Sequence, residues 1–214
     1  MNNKTQSKRE EGSLDNPAVA VDGVVLAGGE ARRMGGEDKG LVTLAGKTMI
    51  EHVIDRFAPQ VAGLRINANR NQARYQALGF PVVSDRQLGE FPGPLAGMAA
   101  GLAASEAEWV AFVPCDAPLL PLDLVARLQQ ALEQEQGEIA VAHDGEYWQP
   151  VFVLMRRSLL PSLEAFLAGD GRKIMHWFQQ QKLVRVLFAD QVGAFENINT
   201  PEHCQRIEQQ LVEA

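Results

Sequence analysis

The chain has 214 residues, 46% of them hydrophobic, with 20 basic against 27 acidic side chains and a formal charge of -7. That length and apolar content suffice for one full core. The acidic balance argues against nucleic acid or an anionic membrane as the main partner, and no run approaches the ~18 uninterrupted apolar residues of a membrane span. Two cysteines, Cys115 and Cys204, are too few for a disulfide framework and fit a reducing cytoplasm, the expected location. The histidines at 52, 143, 176 and 203 show no metal-ligand spacing and read as surface or structural residues.

Residues 1–18 are polar and charged and read as a disordered tail, with 19–214 as a single domain. The first strand is expected at Val21–Leu26, followed by strands at Leu64–Asn67, Pro81–Val83, Trp109–Val113, Ile139–Ala142, Val151–Met155 and Val184–Phe188. Helical patterns fall between them, at Met49–Phe57, Gln72–Leu78, Leu95–Ala104, Leu122–Glu135, Leu159–Leu167, Ile174–Gln181 and Pro201–Val212. This alternation implies an α/β fold, a Rossmann-like three-layer sandwich around a mostly parallel central sheet. Ligands of such sheets bind outside the carboxyl ends of the strands. The polar candidates fall where strands end, at Leu26–Gly29, Asn67–Arg70, Asp85 and Pro114–Asp116.

The strand Val21–Leu26 opens into a loop, Ala27 to Gly40, that carries Gly28-Gly29 and the cations Arg32, Arg33 and Lys39. Glycine allows close backbone approach to an anion, and Arg and Lys supply the charge that phosphate oxygens need. A glycine pair alone is equally well an ordinary tight turn; Arg33 and Lys39 favour phosphate. Gly46-Lys47-Thr48 ends like a P-loop, but five residues, not four, separate Gly46 from Gly40, and no strand precedes it. The dinucleotide fingerprint G-x-G-x-x-G is absent from this loop.

Pro114-Cys115-Asp116-Ala117-Pro118 follows an apolar strand. Asp116 is placed either to hold Mg²⁺ on a triphosphate, since that ion takes one or two carboxylates plus phosphate oxygens, or to cap the following turn. The segment alone leaves both readings open. Cys115 has no visible acid–base partner and reads as a small residue at a strand end. Phe91-Pro92-Gly93-Pro94-Leu95-Ala96-Gly97-Met98 is a helix start that also suits an anionic group. In Asn197-Ile198-Asn199-Thr200-Pro201 the two asparagines alternate along an extended stretch and share a side, while Thr200 caps the last helix. Amides so placed serve a substrate or metal-bound water, or are simply solvated.

Together these segments resemble the nucleotidyltransferase family that makes nucleotide conjugates. The signature L-A-G-G-x-x-x-R-M-G-x-x-K is met from Leu26 to Lys39 with one extra residue near Gly36. The likeness is greatest to its bacterial molybdenum cofactor guanylyltransferase branch, through the segments at Ala31–Gly40, Asn67–Arg70, Pro92–Met98, Pro114–Asp116 and Asn197–Pro201. It covers Val21 to about Val212. The resemblance implies transfer of GMP from GTP to the terminal phosphate of molybdenum-bearing molybdopterin, with Mg²⁺ as cofactor and transient contacts to proteins that deliver and receive the product. It implies nucleotide contacts from Leu26, Ala27, Gly28, Lys39, Asn67, Asp85 and Asp116, with Asp116 also on the metal. The catalytic residues would be Arg33 and Lys39, which with Mg²⁺ neutralise the charge of the reacting phosphates, and Asp116, which holds the metal. Gln149, Asn197 and Asn199 would lie on the pterin side, where Gln149-Pro150-Val151 departs from the threonine-containing version of some relatives. Thr48 stands where the family often has proline.

Overall fold

The computed structural model describes residues 20–27, 38–85, 93–169 and 171–213. The expected tail at 1–18, with Gly28 and Arg33, lies outside these residues. Strands β1 (Val21–Leu26), β4 (Gly63–Asn67), β5 (Val82–Val83), β6 (Trp109–Pro114), β7 (Ile139–His143), β8 (Trp148–Arg156) and β9 (Leu183–Leu187) form one seven-stranded sheet in the order β5-β4-β1-β6-β8-β7-β9. A small hairpin of β2 (Thr43–Leu44) and β3 (Lys47–Thr48) stands apart from it. Ala45 and Gly46 form its turn with φ of 46° and 82°, the left-handed pair that a two-residue hairpin demands and that Gly46 supplies without strain.

The sheet is mostly parallel, as the alternation of strands and helices implies. Strand β8 is the exception and pairs antiparallel with both β6 and β7. The connection from β7 to β8 spans only Asp144 to Tyr147, too short for the crossover a parallel pair requires.

Side chains alternate between two cores. Val25, Ala111 and Val113 face the layer of α1 (Met49–Phe57), α2 (Gln72–Gln76) and α4 (Leu124–Glu135). Val24, Val110 and Phe112 face α3 (Pro94–Ala104), α5 (Leu160–Ala168) and α6 (Ile174–Phe178). Helix α3 is apolar nearly all round and carries glycines where the sheet comes close: a side chain at Gly101 would begin 2.7 Å from the Phe112 ring. Helix α7 (Pro201–Glu213) packs through Ile207 on Leu44, Met49 and Ile198, which ties the chain's last helix to the hairpin.

Helix α1 begins with a capping box. The Glu51 carboxylate accepts from the Thr48 backbone N–H at 2.7 Å and from the Thr48 hydroxyl at 2.6 Å, so Thr48 gives the helix its own start signal. These two bonds hold the Glu51 carboxyl below its ordinary value of 4.5. A group with a depressed folded-state pKa stabilises the fold above its unfolded value and loses that contribution as pH falls through the folded value. Glu51→Ala should therefore cost about 1 kcal/mol in urea unfolding at pH 7, and the gap to the parent should shrink on acidification below 4.5. An equal gap at pH 7 and pH 3 would contradict the capping account.

Candidate functional site

Parallel pairing sets the site. Leu26 lies in register with Asn67 on one side and Pro114 on the other, so β1, β4 and β6 end in one row. The row is extended past the strand ends by backbone bonds, Ala27 N–H to Asn67 O at 2.8 Å and Cys115 N–H to Leu26 O at 3.1 Å. Leu26 and Ala27 are thereby locked at the mouth of the glycine loop.

On the β6 side, Asp116 meets two residues far away in sequence. Lys39 Nζ donates to Asp116 Oδ2 at 3.1 Å and also to Asn199 Oδ1. The Lys39 and Asp116 side chains retain 20% and 13% exposure, so the pair is sheltered yet open on one side. Asn199 is delivered by the stretch before α7. Ile198 is buried and its N–H donates to Asp116 O at 2.9 Å, while Asn197 and Asn199 point away from that core on either side of it. Asn199 Nδ2 donates to Asn197 O at 3.2 Å, and the Asn197 side chain is exposed. Thr200 Oγ1 accepts from His203 N–H at 3.3 Å and caps α7 as the sequence suggests.

On the β4 side, Asn67 and Asp85 come together. Asn67 is 4% exposed and donates from Nδ2 to Asp85 Oδ1 at 2.9 Å. Asn69 completes the clamp, donating from Nδ2 to Asp85 Oδ2 at 2.7 Å and accepting from Asp85 N–H at 2.8 Å. Each carboxylate oxygen of Asp85 keeps acceptor capacity for a ligand donor. The start of α3 backs this pair: a side chain at Gly97 would collide with Asn67 Oδ1 and begin 2.9 Å from Leu26 Cδ2. Gly97 is thus required for the strand ends to sit against the helix.

Gln149 stands elsewhere. Its Nε2 donates to Asp144 Oδ2 at 2.7 Å within the β7–β8 turn, where Asp144 also accepts from the Glu146 and Tyr147 N–H groups. It joins neither cluster through these bonds.

Four polar residues went unassigned from sequence. Asn69 belongs to the asparagine run Asn67-Ala68-Asn69-Arg70-Asn71 at a strand end, and the repeated amides were its signal. Asn71, Asp38 and Tyr75 form a second clamp: Asp38 accepts from Tyr75 Oη at 2.6 Å and from Asn71 Nδ2 at 3.1 Å. Tyr75 gave no signal beyond being one aromatic residue on a short helix.

Cys115 is a buried thiol unsuited to nucleophilic attack. Burial pushes its thiol well above the ordinary range, and the neighbouring carboxylates of Asp116 and Asp38 add to the rise. Thiol reactivity requires the thiolate. Brief iodoacetamide treatment of the folded protein at pH 8, read by mass spectrometry, should alkylate the partly exposed Cys204 far faster than Cys115. Faster labelling of Cys115 would overturn this assignment.

A Rossmann-like sheet with amide, carboxylate and ammonium groups gathered at the carboxyl ends of β4, β1 and β6 has the layout of a nucleotidyltransferase. Comparison with known proteins agrees. Residues 23–186 match the family described as the MobA-like NTP transferase domain. A molybdenum cofactor guanylyltransferase of Shewanella sp. (strain W3-18-1) is 55% identical over 187 residues, covering 87% of this chain and 95% of the relative. Its counterpart in Shewanella baltica (strain OS185) is 52% identical over 191 residues, covering 89% and 97%. Among solved structures, molybdopterin-guanine dinucleotide biosynthesis protein A from Archaeoglobus fulgidus superposes with a TM-score of 0.74 at 23% identity, over 90% of this chain and 100% of that one. The chain belongs to the MobA-like NTP transferase family, in its molybdenum cofactor guanylyltransferase branch.

Proposed function

We propose that this enzyme transfers GMP from GTP to the terminal phosphate of molybdenum-bearing molybdopterin, releasing pyrophosphate. The observation that carries the reading is the joining of Lys39, Asp116 and Asn199 beside the Asn67–Asp85 pair at one end of the sheet. One cluster suits phosphates and the other suits a base.

Guanine presents two adjacent N–H donors on its Watson–Crick edge, and the two oxygens of Asp85 form a matching acceptor pair. Asn67 and Asn69 hold that carboxylate from behind. A polar site built for such donors rejects a base that lacks them. Leu26, Ala27 and Gly28 line the nucleoside through their backbone. Lys39 contacts the triphosphate, with Arg33 as a second cation from the glycine loop.

Asp116 fits a magnesium ion. It brings one partly open carboxylate at a strand end, and Mg²⁺ fills its remaining positions with phosphate oxygens and water. When bound there, the ion supplies neutralisation of phosphate charge. Asn197 and Asn199 serve the acceptor side of the same edge, and Gln149 serves it from the β7–β8 turn.

The acceptor phosphate is anionic at neutral pH. Its oxygen forms the new bond to the α-phosphorus while the bond to the bridging oxygen of the β-phosphate breaks, and the electron pair leaves with pyrophosphate. No proton has to be removed, so no general base is needed. The protein's contribution is alignment and charge stabilisation by Lys39 and Arg33, with Asp116 holding the metal.

A pyrophosphate-release assay with Mg-GTP and molybdopterin, and with CTP and ATP as controls, tests this reading. GTP should be strongly preferred, and Asp116→Asn should fold normally yet lose on the order of 10²-fold in rate. Near-normal turnover by Asp116→Asn, or equal use of CTP, would overturn it.

A further inference from the structure

The geometry points to Asp38 and Tyr75 as a positioning pair that holds Lys39 in line with Asp116. This rests on the proposed role of Lys39 at the phosphates and extends it to two buried residues behind it.

Asp38 is 5% exposed, a buried carboxylate that the transfer step does not use. It lies one residue before Lys39 but does not pair with it. Instead Tyr75 Oη donates to Asp38 Oδ1 at 2.6 Å, Asn71 Nδ2 donates to Oδ2 at 3.1 Å, and Arg70 Nε lies 3.6 Å from Oδ2. The residue after Lys39 is pinned as well. A side chain at Gly40 would begin 2.7 Å from Tyr75 Oη and 3.2 Å from Cys115 Sγ. Residues 38 and 40 thus both rest on Tyr75, and residue 40 also rests on the neighbour of Asp116. Lys39, between them, is turned outward to Asp116 and Asn199. Leu41 is buried and closes the single 3₁₀ turn of Lys39–Leu41.

A lysine side chain has four rotatable bonds and finds its target only if its backbone is fixed. A buried carboxylate with two hydrogen-bond donors and an arginine beside it fixes a backbone firmly, because breaking either bond leaves a polar group unsatisfied. Tyr75 is fully buried, and burial, with Cys115 and Asp38 beside it, pushes its phenol well above the ordinary range, so the hydroxyl stays a donor. The donors themselves come from the stretch that starts at the end of β4 and also holds Asp85 through Asn67 and Asn69. One short run of chain therefore orients the base-side carboxylate with its first residues and the phosphate-side lysine with its last.

The test is a double-mutant cycle read by pyrophosphate release. Tyr75→Phe keeps the ring and removes only the hydroxyl. It should lower kcat about 10-fold, the scale of a sub-ångström misplacement of a catalytic group, with KM for GTP changed far less. In a Lys39→Ala background the same substitution should change kcat less than about 2-fold, since the group being positioned is gone. Asp38→Asn, which turns an amide toward the Asn71 and Arg70 donors, should behave likewise and serves if Tyr75→Phe folds poorly. An undiminished kcat in folded Tyr75→Phe and Asp38→Asn, or an equal loss with and without Lys39, would overturn the positioning role. Normal turnover by Lys39→Ala itself would withdraw both this inference and the phosphate role of Lys39.

Discussion

The register of three parallel strands is the constraint on which the rest depends. With Leu26 opposite both Asn67 and Pro114, the ends of β4, β1 and β6 stand side by side at the spacing of hydrogen-bonded strands, under 5 Å apart. A one-residue slip of β4 would send Asn67 to the other face of the sheet and move Asp85's partner away from it. Register is secure because both faces are buried: Val24, Val110 and Phe112 fill one core while Val25, Ala111 and Val113 fill the other. The hydrophobic pattern thus sets the positions of the polar groups.

Each acid at the site is oriented by donors. Asp85 is gripped by two asparagine amides, Asp38 by a tyrosine and an asparagine with an arginine paired alongside, and Asp116 by Lys39. A carboxylate sheltered from water is costly unless its lone pairs are met. Meeting them from several elements makes the site rigid, which is what charge stabilisation in a transfer reaction requires. The arrangement also explains why so many contacts come from chain ends and turns. Lys39 and Asn199 are 160 residues apart yet share a hydrogen bond; the Ile198 N–H bond to Asp116 O and the packing of Ile198 and Ile207 on Leu44 and Met49 bring them together.

Much of this was legible from residue order. β1 at Val21–Leu26 and α1 at Met49–Phe57 have the bounds that apolar spacing suggests, and every expected strand and helix is present. The sequence could not show that β8 runs backwards from strand-and-helix alternation alone, because the reversal is dictated by a four-residue turn. Asp144-Gly145 was the local sign of that hairpin, with Gly145 at a φ of 111°. The β2–β3 hairpin escaped because two-residue strands carry no period. At the site, Lys39, Asp116 and Asn199 were readable as separate candidates, and so were Asn67 and Asp85. Their pairing was not, since contacts across 77 and 160 residues leave no local trace. Asp38 and Tyr75 were invisible as a pair for the same reason, and Gln149 proved to be bonded into its own turn.

The central claim is that one end of this sheet grips a guanine nucleotide with its base at Asp85 and its phosphates at Lys39 and Asp116. A crystal structure of the protein with Mg²⁺ and a non-hydrolysable GTP analogue tests it most directly. The account predicts the guanine Watson–Crick edge within hydrogen-bonding distance of the Asp85 carboxylate, the metal on Asp116 and the triphosphate on Lys39. A base directed away from Asp85, or phosphates bound at the opposite end of the strands, would contradict it.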